Sequence, residues 1–96
     1  MPIFIMIGKY SQNALENVSP QRTKKAEQLI ARYDGTIKAM YALLGADDLF
    51  MVVELPSIED ALRVSISLTK LTGISFHTSP AISVDDFDTF AQLEES

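Results

Sequence analysis

Residues 36–54 read TIKAMYALLGADDLFMVVE and predict a β-hairpin at the centre of the chain. In the segment 36–44, alternate positions form one apolar strand face, which consists of Ile37, Ala39, Tyr41 and Leu43. The sequence GADD at 45–48 is typical of a turn. The apolar run 49–54 predicts the partner strand, and Pro56 follows its end.

The sequence before the hairpin predicts one strand and one helix. The short apolar run 3–7 predicts a buried strand that Gly8 ends. Ser19 and Pro20 predict a helix start, and Asp34-Gly35 predicts its end. Its inward stripe is predicted to be Ala26, Leu29, Ile30 and Tyr33. The same spacing turns Arg22 toward solvent. Because Leu15 and Val18 begin a further helical stripe, this helical region is expected in one or two parts.

The sequence after the hairpin repeats this order. Ser57 predicts a helix cap, and Glu59 and Asp60 favour the first turn. The inward stripe of this helix is predicted to be Ile58, Ala61, Leu62, Ser65, Leu68 and Leu71. Gly73 ends the helix, and the alternating residues 74–79 predict a fourth strand. Ser83 then opens a short terminal helix in which Phe87, Phe90 and Leu93 recur at helical spacing.

This order predicts a single α+β domain over residues 1–96. The pattern β-α-β-β-α-β is the ferredoxin-like arrangement, with a four-stranded antiparallel sheet and two helices on one face. The first strand carries apolar residues on both faces, since Ile5 and Ile7 oppose Phe4 and Met6. An open apolar face predicts a homodimer or higher oligomer packed sheet to sheet. The alternative is that the terminal helix folds back over this face.

Composition excludes several function classes. The 96 residues are 47% hydrophobic and 22% charged, which is typical of one globular domain. The absence of Cys excludes disulfides and thiolate metal sites. Thirteen acids against eight basic residues give a net charge of −5, so no nucleic-acid partner is expected. The five-residue apolar start is too short for a signal peptide or membrane helix, which predicts a cytoplasmic protein without a membrane partner.

Two blocks of the chain resemble the GYD-domain family. They are MPIFIMIGKY at 1–10 and YALLGADDLFMVVELP at 41–56. The family takes its name from a Gly-Tyr-Asp segment at the hairpin turn. Gly45 and Asp48 match its Gly and Asp, whereas Asp47 stands in place of the Tyr. The resemblance, which spans nearly the whole chain, implies a ferredoxin-like dimeric α+β barrel and carries no established activity.

Four residues form the predicted ligand-binding set, namely Lys9, Tyr41, Asp48 and His77. Lys9 follows the first strand and would hold an anion, unless it is a solvated edge charge. His77, the only histidine, would act as a general base or an axial haem ligand. Related dimeric barrels that are haem or quinone oxygenases suggest those roles. The plainer interpretation is a polar histidine at a strand rim or interface.

The tyrosines and the acidic turn also have two interpretations each. Tyr10 and Tyr41 would offer phenols to a cleft between sheet and helices, although Tyr41 also fits a core position with its hydroxyl at the edge. Asp47 and Asp48 would bind a metal or act as acid and base, or simply accept bonds from local backbone amides. One histidine without Cys cannot build a usual zinc site. No metal, cofactor or catalytic residue is therefore assigned.

The first functional expectation is an oligomeric GYD-type domain that binds a small, mostly apolar ligand. The cavity would lie between helices and sheet, and the domain would serve as a binding or regulatory module. One alternative is a cofactor-independent or haem-dependent monooxygenase that uses His77 with Tyr41 or Asp48. Another is a structural oligomerisation domain. An enclosed His77 favours the oxygenase, a solvent-facing His77 the binding module, and a filled interior the structural domain.

Overall fold

A computed structural model describes residues 1–94 of the chain. Its elements are β1 (Ile3–Tyr10), α1 (Gln12–Glu16), α2 (Pro20–Arg32), β2 (Thr36–Ala42), β3 (Leu49–Glu54), α3 (Ile58–Thr72), β4 (Ile74–Ala81) and α4 (Val84–Leu93). This order confirms the predicted α+β, ferredoxin-like arrangement. The first helical region has two parts, α1 and α2.

The four strands form one antiparallel sheet in the order β2-β3-β1-β4. The central strand β1 pairs with β3 from Ile3 opposite Glu54 to Gly8 opposite Leu49. On its other side β1 pairs with β4 along its whole length, ending with Tyr10 opposite Ile74. The hairpin strand β2 and the last strand β4 are therefore the two sheet edges.

One face of the sheet carries the hydrophobic core. The strands contribute Phe4, Met6, Met51 and Val53, and the helices contribute Leu29, Ile30, Ala61, Val64 and Leu68. All of these side chains are buried. The alternation predicted for β1, β3 and β4 is confirmed, because the residues between these positions lie on the opposite face.

The predicted strand face of β2 is wrong in its first half. Ile37 pairs with Val53, but Ala39 pairs with Val52, so the ladder shifts by one residue at this point. The extra residue is Lys38, and a β-bulge of this kind reverses the faces on which later side chains lie. Ile37 accordingly packs against the core. Ala39 and Tyr41 lie on the opposite face.

The predicted stripe of α3 is also partly wrong. Its buried residues are Ala61, Val64, Leu68 and Thr72, whereas Ile58, Leu62 and Leu71 are exposed. Two apolar stripes run side by side on this helix. Packing against the sheet selects the stripe that includes Val64, and the neighbouring row through Leu62 stays in solvent.

The helix boundaries follow the predicted caps. Ser19, Ser57 and Ser83 each accept a backbone N–H bond from the residue three positions later, at 3.1 Å. Pro20 occupies the first turn of α2. Gly73 ends α3 with φ at 77°, a left-handed conformation that favours glycine.

The terminal helix does not cover the open sheet face. Every residue of α4 is exposed, including Phe87 at 61%. The alternative in which this helix folds back over the sheet is therefore wrong for the single chain described here. Within residues 1–94, none of the helices is both long and apolar enough to cross a membrane.

Candidate ligand-binding pocket

A pocket of about 230 Å³ opens between the sheet, α2 and α3. It lies on the helix-covered face, near the end of β1. Most of its walls are apolar, and its lining is Tyr10, Arg22, Thr23, Ala26, Met40, Ala42, Leu49, Met51, Leu68, Thr72, Ile74 and Phe76. The cavity predicted between the helices and the sheet is thus present.

Small residues account for the position of this pocket. The buried residues of α2 are Leu29 and Ile30, both in its second half. The first half presents Thr23 and Ala26 instead, and these side chains are too short to fill the space above the sheet. A gap therefore remains below the start of α2.

The glycine of β1 shapes the neighbouring wall. A Cβ atom at Gly8 would lie 2.8 Å from Ile74 Cγ2 and 3.0 Å from Phe76 Cε1. Both distances are shorter than ordinary van der Waals contact. The absence of a side chain at Gly8 thus lets two pocket-lining residues of β4 pack directly over β1.

Arg22 stands at the pocket as its one charged lining residue. Its side chain is half-buried, so the prediction that it faces solvent is wrong. The Nη1 group donates a hydrogen bond to the Ala14 carbonyl. The guanidinium carbon lies 5.6 Å from the centroid of the Tyr10 ring, a cation–π distance. These two contacts, with residues that precede α2 in the chain, hold the guanidinium at the pocket.

The other polar groups of the lining are already engaged or peripheral. Thr72 donates from Oγ1 to the Leu68 carbonyl at 2.7 Å and accepts from the Ile74 N–H at 3.1 Å. Thr23 donates to the Ser19 carbonyl at 3.3 Å. In the described part of the chain, every buried side-chain nitrogen and oxygen has a hydrogen-bond partner. The pocket interior therefore offers mainly apolar surface.

Tyr41 and His77 lie on the open face of the sheet rather than in this pocket. Tyr41 pairs with Phe50, Phe50 with Ile7, and Ile7 with His77, so all four share one cross-strand row. Tyr41 is 62% exposed, and His77 is exposed as well. Three strand spacings separate them, about 14 Å. The structure thus places both residues on one face but at opposite edges.

Lys9 is also exposed on the open face, at the end of β1 opposite Ser75. It does not line the pocket. Of the predicted phenols, only Tyr10 reaches the cleft between helices and sheet.

Asp48 anchors the hairpin to the end of β1. Its Oδ2 accepts a bond from the Tyr10 N–H at 2.8 Å, and its own N–H donates to the Gly8 carbonyl at 2.9 Å. Its carbonyl accepts from the Leu43 N–H at 2.9 Å. The carboxylate thus binds a backbone amide, as the plainer interpretation expected, but the partner is distant in sequence. Within residues 1–94, no cluster of three His, Cys, Asp or Glu side chains is placed to hold a metal ion.

The open face forms a second apolar surface. Its outward side chains are Ile3, Ile5, Ile7, Phe50 and Val52, flanked by Ala39, Tyr41, His77 and Ser79. At one end of the sheet, Lys38 and Glu54 form an ion pair at 3.7 Å. No element among residues 1–94 packs over the apolar centre of this surface, and its apolar residues are half-buried only by one another and by the strands.

Comparisons with known proteins agree on the family and the fold. The sequence profile of the GYD domain matches residues 4–91. The fold is similar to the crystal structure of the Mycobacterium tuberculosis leucine response regulatory protein LrpA, with a TM-score of 0.57 and 8% sequence identity. The match covers 85% of this chain and 51% of LrpA, so the chain spans about half the length of that protein.

A search of curated protein sequences found no match. The likeness to LrpA concerns the fold alone. The GYD profile includes residues 4–10 of the first sequence block and the whole block 41–56 around the hairpin. The chain therefore belongs to the GYD-domain family.

Proposed function

We propose that this GYD-domain protein is a binding module for a small, mostly apolar ligand. The observation that carries the proposal is the pocket of about 230 Å³ with mainly apolar walls. A dry cavity of ~150 Å³ accepts benzene, and drug-sized ligands need about 300 Å³ or more. The volume here suits a ligand between those sizes.

We further propose that the module works as a homodimer joined through its open sheet faces. An apolar row from Tyr41 through Phe50 to Ile7 crosses three strands of that face. Monomeric proteins rarely leave so continuous an apolar surface in water. A second copy, related by a two-fold axis, presents the same apolar surface and would cover it.

The positions of the remaining candidate residues favour a binding module over an oxygenase. His77 faces outward about 14 Å from Tyr41, by strand spacing. The Asp48 carboxylate is engaged by the Tyr10 N–H. These side chains therefore share no enclosed site in the single chain. The unfilled pocket also weighs against a purely structural domain. The occurrence of a similar fold in a leucine response regulatory protein is compatible with a regulatory role.

Filling the pocket tests the ligand-binding proposal. The probe is 1-hexanol, titrated into the protein and followed by calorimetry. Ala26 lines the pocket, so Ala26→Leu inserts three carbon atoms into it and is expected to weaken hexanol binding at least about tenfold.

Ala31 provides a matched control, since it lies on the same helix but is exposed. Ala31→Leu adds the same atoms and is expected to leave hexanol binding unchanged. Equal binding by the wild type and both variants would contradict the proposal, as would a wild-type protein that binds no hexanol.

A further inference from the structure

Arg22 gives the proposed pocket a chemical preference that its apolar walls alone would not. We propose that the pocket takes a monocarboxylate with an apolar body, and that Arg22 pairs with the carboxylate. The inference rests on the proposed ligand-binding function and specifies the class of ligand. Three features of the pocket support it, namely the free donors of Arg22, the number of charged groups and the apolar walls.

The guanidinium of Arg22 has hydrogen-bond donors that remain available to a ligand. A guanidinium carries five N–H groups, and Arg22 gives a hydrogen bond from Nη1 to the Ala14 carbonyl. Within residues 1–94, no carboxylate forms an ion pair with it. The contact with the Tyr10 ring and the bond to Ala14 restrict where the side chain lies. A carboxylate entering the pocket would therefore meet a positioned, unpaired cation.

The number of charges favours a monoanion. Among residues 1–94, Arg22 is the one charged group of the lining. The next basic residues of α2, Lys24 and Lys25, are exposed and do not line the pocket. A single planar guanidinium matches a single carboxylate through two parallel hydrogen bonds. A phosphate dianion would leave part of its charge without a partner at the same place.

The lining also disfavours an amino acid. The α-ammonium group of an amino acid needs an acceptor when it leaves water, and no acidic residue among residues 1–94 lines the pocket. The Asp48 carboxylate lies nearby in the chain's fold but accepts the Tyr10 N–H instead. A simple carboxylate can place its whole body against apolar walls such as Leu68 and Phe76. Burial of that body would raise the affinity about fourfold for each methylene.

The partly buried position of Arg22 strengthens the pairing. Two opposite charges attract more strongly where apolar walls exclude water than in bulk solvent. Hydrogen bonds to charged groups contribute ~1.5–3 kcal/mol, which corresponds to about a tenfold to 150-fold change in affinity. The expected preference for a carboxylate over a neutral alcohol of equal length is therefore at least about tenfold.

Three six-carbon probes test this preference, namely hexanoate, 1-hexanol and norleucine. Each is titrated into the full chain at neutral pH by calorimetry. We expect hexanoate to bind at least about tenfold more tightly than hexanol, and norleucine to bind more weakly than hexanoate.

The variant Arg22→Met keeps the aliphatic stem and removes the charge. We expect it to lower hexanoate affinity to that of hexanol or below, because the carboxylate would lose its charged partner. Hexanol affinity should stay within about twofold, since the apolar walls are unchanged. Lys25→Met is the control, because it removes the same charge from an exposed position of the same helix. It should leave both affinities unchanged.

The outcomes separate this inference from the proposed function. Equal affinities for hexanoate and hexanol, or a hexanoate affinity that Arg22→Met does not lower, would overturn the role of Arg22 and leave the apolar binding module standing. Norleucine binding as tight as hexanoate binding would overturn the monocarboxylate preference. Binding of none of the three probes to the wild type would overturn the binding module as well. The comparison of probes on the wild type needs no variant, so it holds even if Arg22→Met does not fold.

Discussion

The two faces of the sheet are both apolar, yet they differ in what covers them. On one face, Phe4 and Val53 are buried beneath α2 and α3. On the other, their chain neighbours Ile5 and Val52 lie in the open centre of the sheet. The strands alone do not distinguish the two faces. The faces differ in what packs against them. Two helices pack on one face, whereas no element of residues 1–94 packs on the other.

This difference separates two kinds of recognition. The covered face holds the pocket of about 230 Å³, which has room for a small molecule. The open face is a broad apolar surface, and its shape and apolar character suit packing against a second sheet. We therefore propose a ligand on the covered face and a second copy of the chain on the open face.

Alanine substitutions at two neighbouring residues of β1 are expected to give the largest difference in the free energy of unfolding. Phe4 is 1% exposed in the core, so Phe4→Ala is expected to lower the free energy of unfolding by about 3–5 kcal/mol. Ile5 is only half-buried, so Ile5→Ala should cost ~1 kcal/mol in the separated chain. Urea denaturation at low protein concentration measures both. Equal losses in the free energy of unfolding would contradict the distinction between a covered face and an open face.

A charged residue introduced on the open face tests the proposed homodimer. Ile5→Asp places a carboxylate at the centre of the proposed contact, where it would be buried without a partner. We expect the variant to sediment as a monomer at a concentration where the wild type is a dimer, with the fold retained.

The control for this substitution is Leu62→Asp. Leu62 is a 61% exposed apolar residue of α3, on the side of the sheet that carries the helices. This variant should remain a dimer. A monomeric wild type, or dimers formed equally well by both variants, would contradict the assignment.

The adjacent residues Asp47 and Asp48 at the hairpin give a third comparison, in which the expected difference in the free energy of unfolding is smaller. Asp48→Ala removes the acceptor of the Tyr10 N–H, so it should lower the free energy of unfolding by about 1–3 kcal/mol. Asp47→Ala is the matched control and should change it by less than about 0.5 kcal/mol. Thermal denaturation of the two variants would measure the difference. A similar loss from both would mean that the carboxylate bond to β1 contributes little.

The elements of the fold were predictable because their signals are local. The alternation of Ile3, Ile5 and Ile7 against Phe4 and Met6 needs only the period of a strand. Ser19, Ser57 and Ser83 cap helices through bonds to residues three positions away. Neither signal depends on the rest of the chain.

The sequence predictions are wrong where packing against another element decides which side chains are buried. The reversal between Ile37 and Ala39 depends on how β2 pairs with β3, which no spacing within β2 encodes. The choice of Val64 over Leu62 depends on how α3 rotates against the sheet, because both stripes have helical spacing.

The position of the pocket could be predicted from the sequence, but most of the residues that line it could not. The ferredoxin-like order places a cleft between helices and sheet, and Tyr10 was expected there. The helical spacing of α2 does not predict the position of Arg22, because its contacts are with Tyr10 and Ala14, which lie outside that helix. The sequence does hold one usable signal, since Gly8, Ala26 and Ala42 are small residues at inward positions of their elements. The predicted residues Tyr41 and His77 belong to the other face.

A methyl-resolved NMR titration with 1-hexanol tests the division between the two faces most directly. The methyl groups of Met51, Leu68 and Ile74 line the pocket, whereas those of Ile5 and Val52 lie on the open face. We predict saturable shifts of the pocket methyls and none for the open-face methyls. Saturable shifts of Ile5 and Val52 with unshifted pocket methyls would place the ligand on the open face and contradict the account.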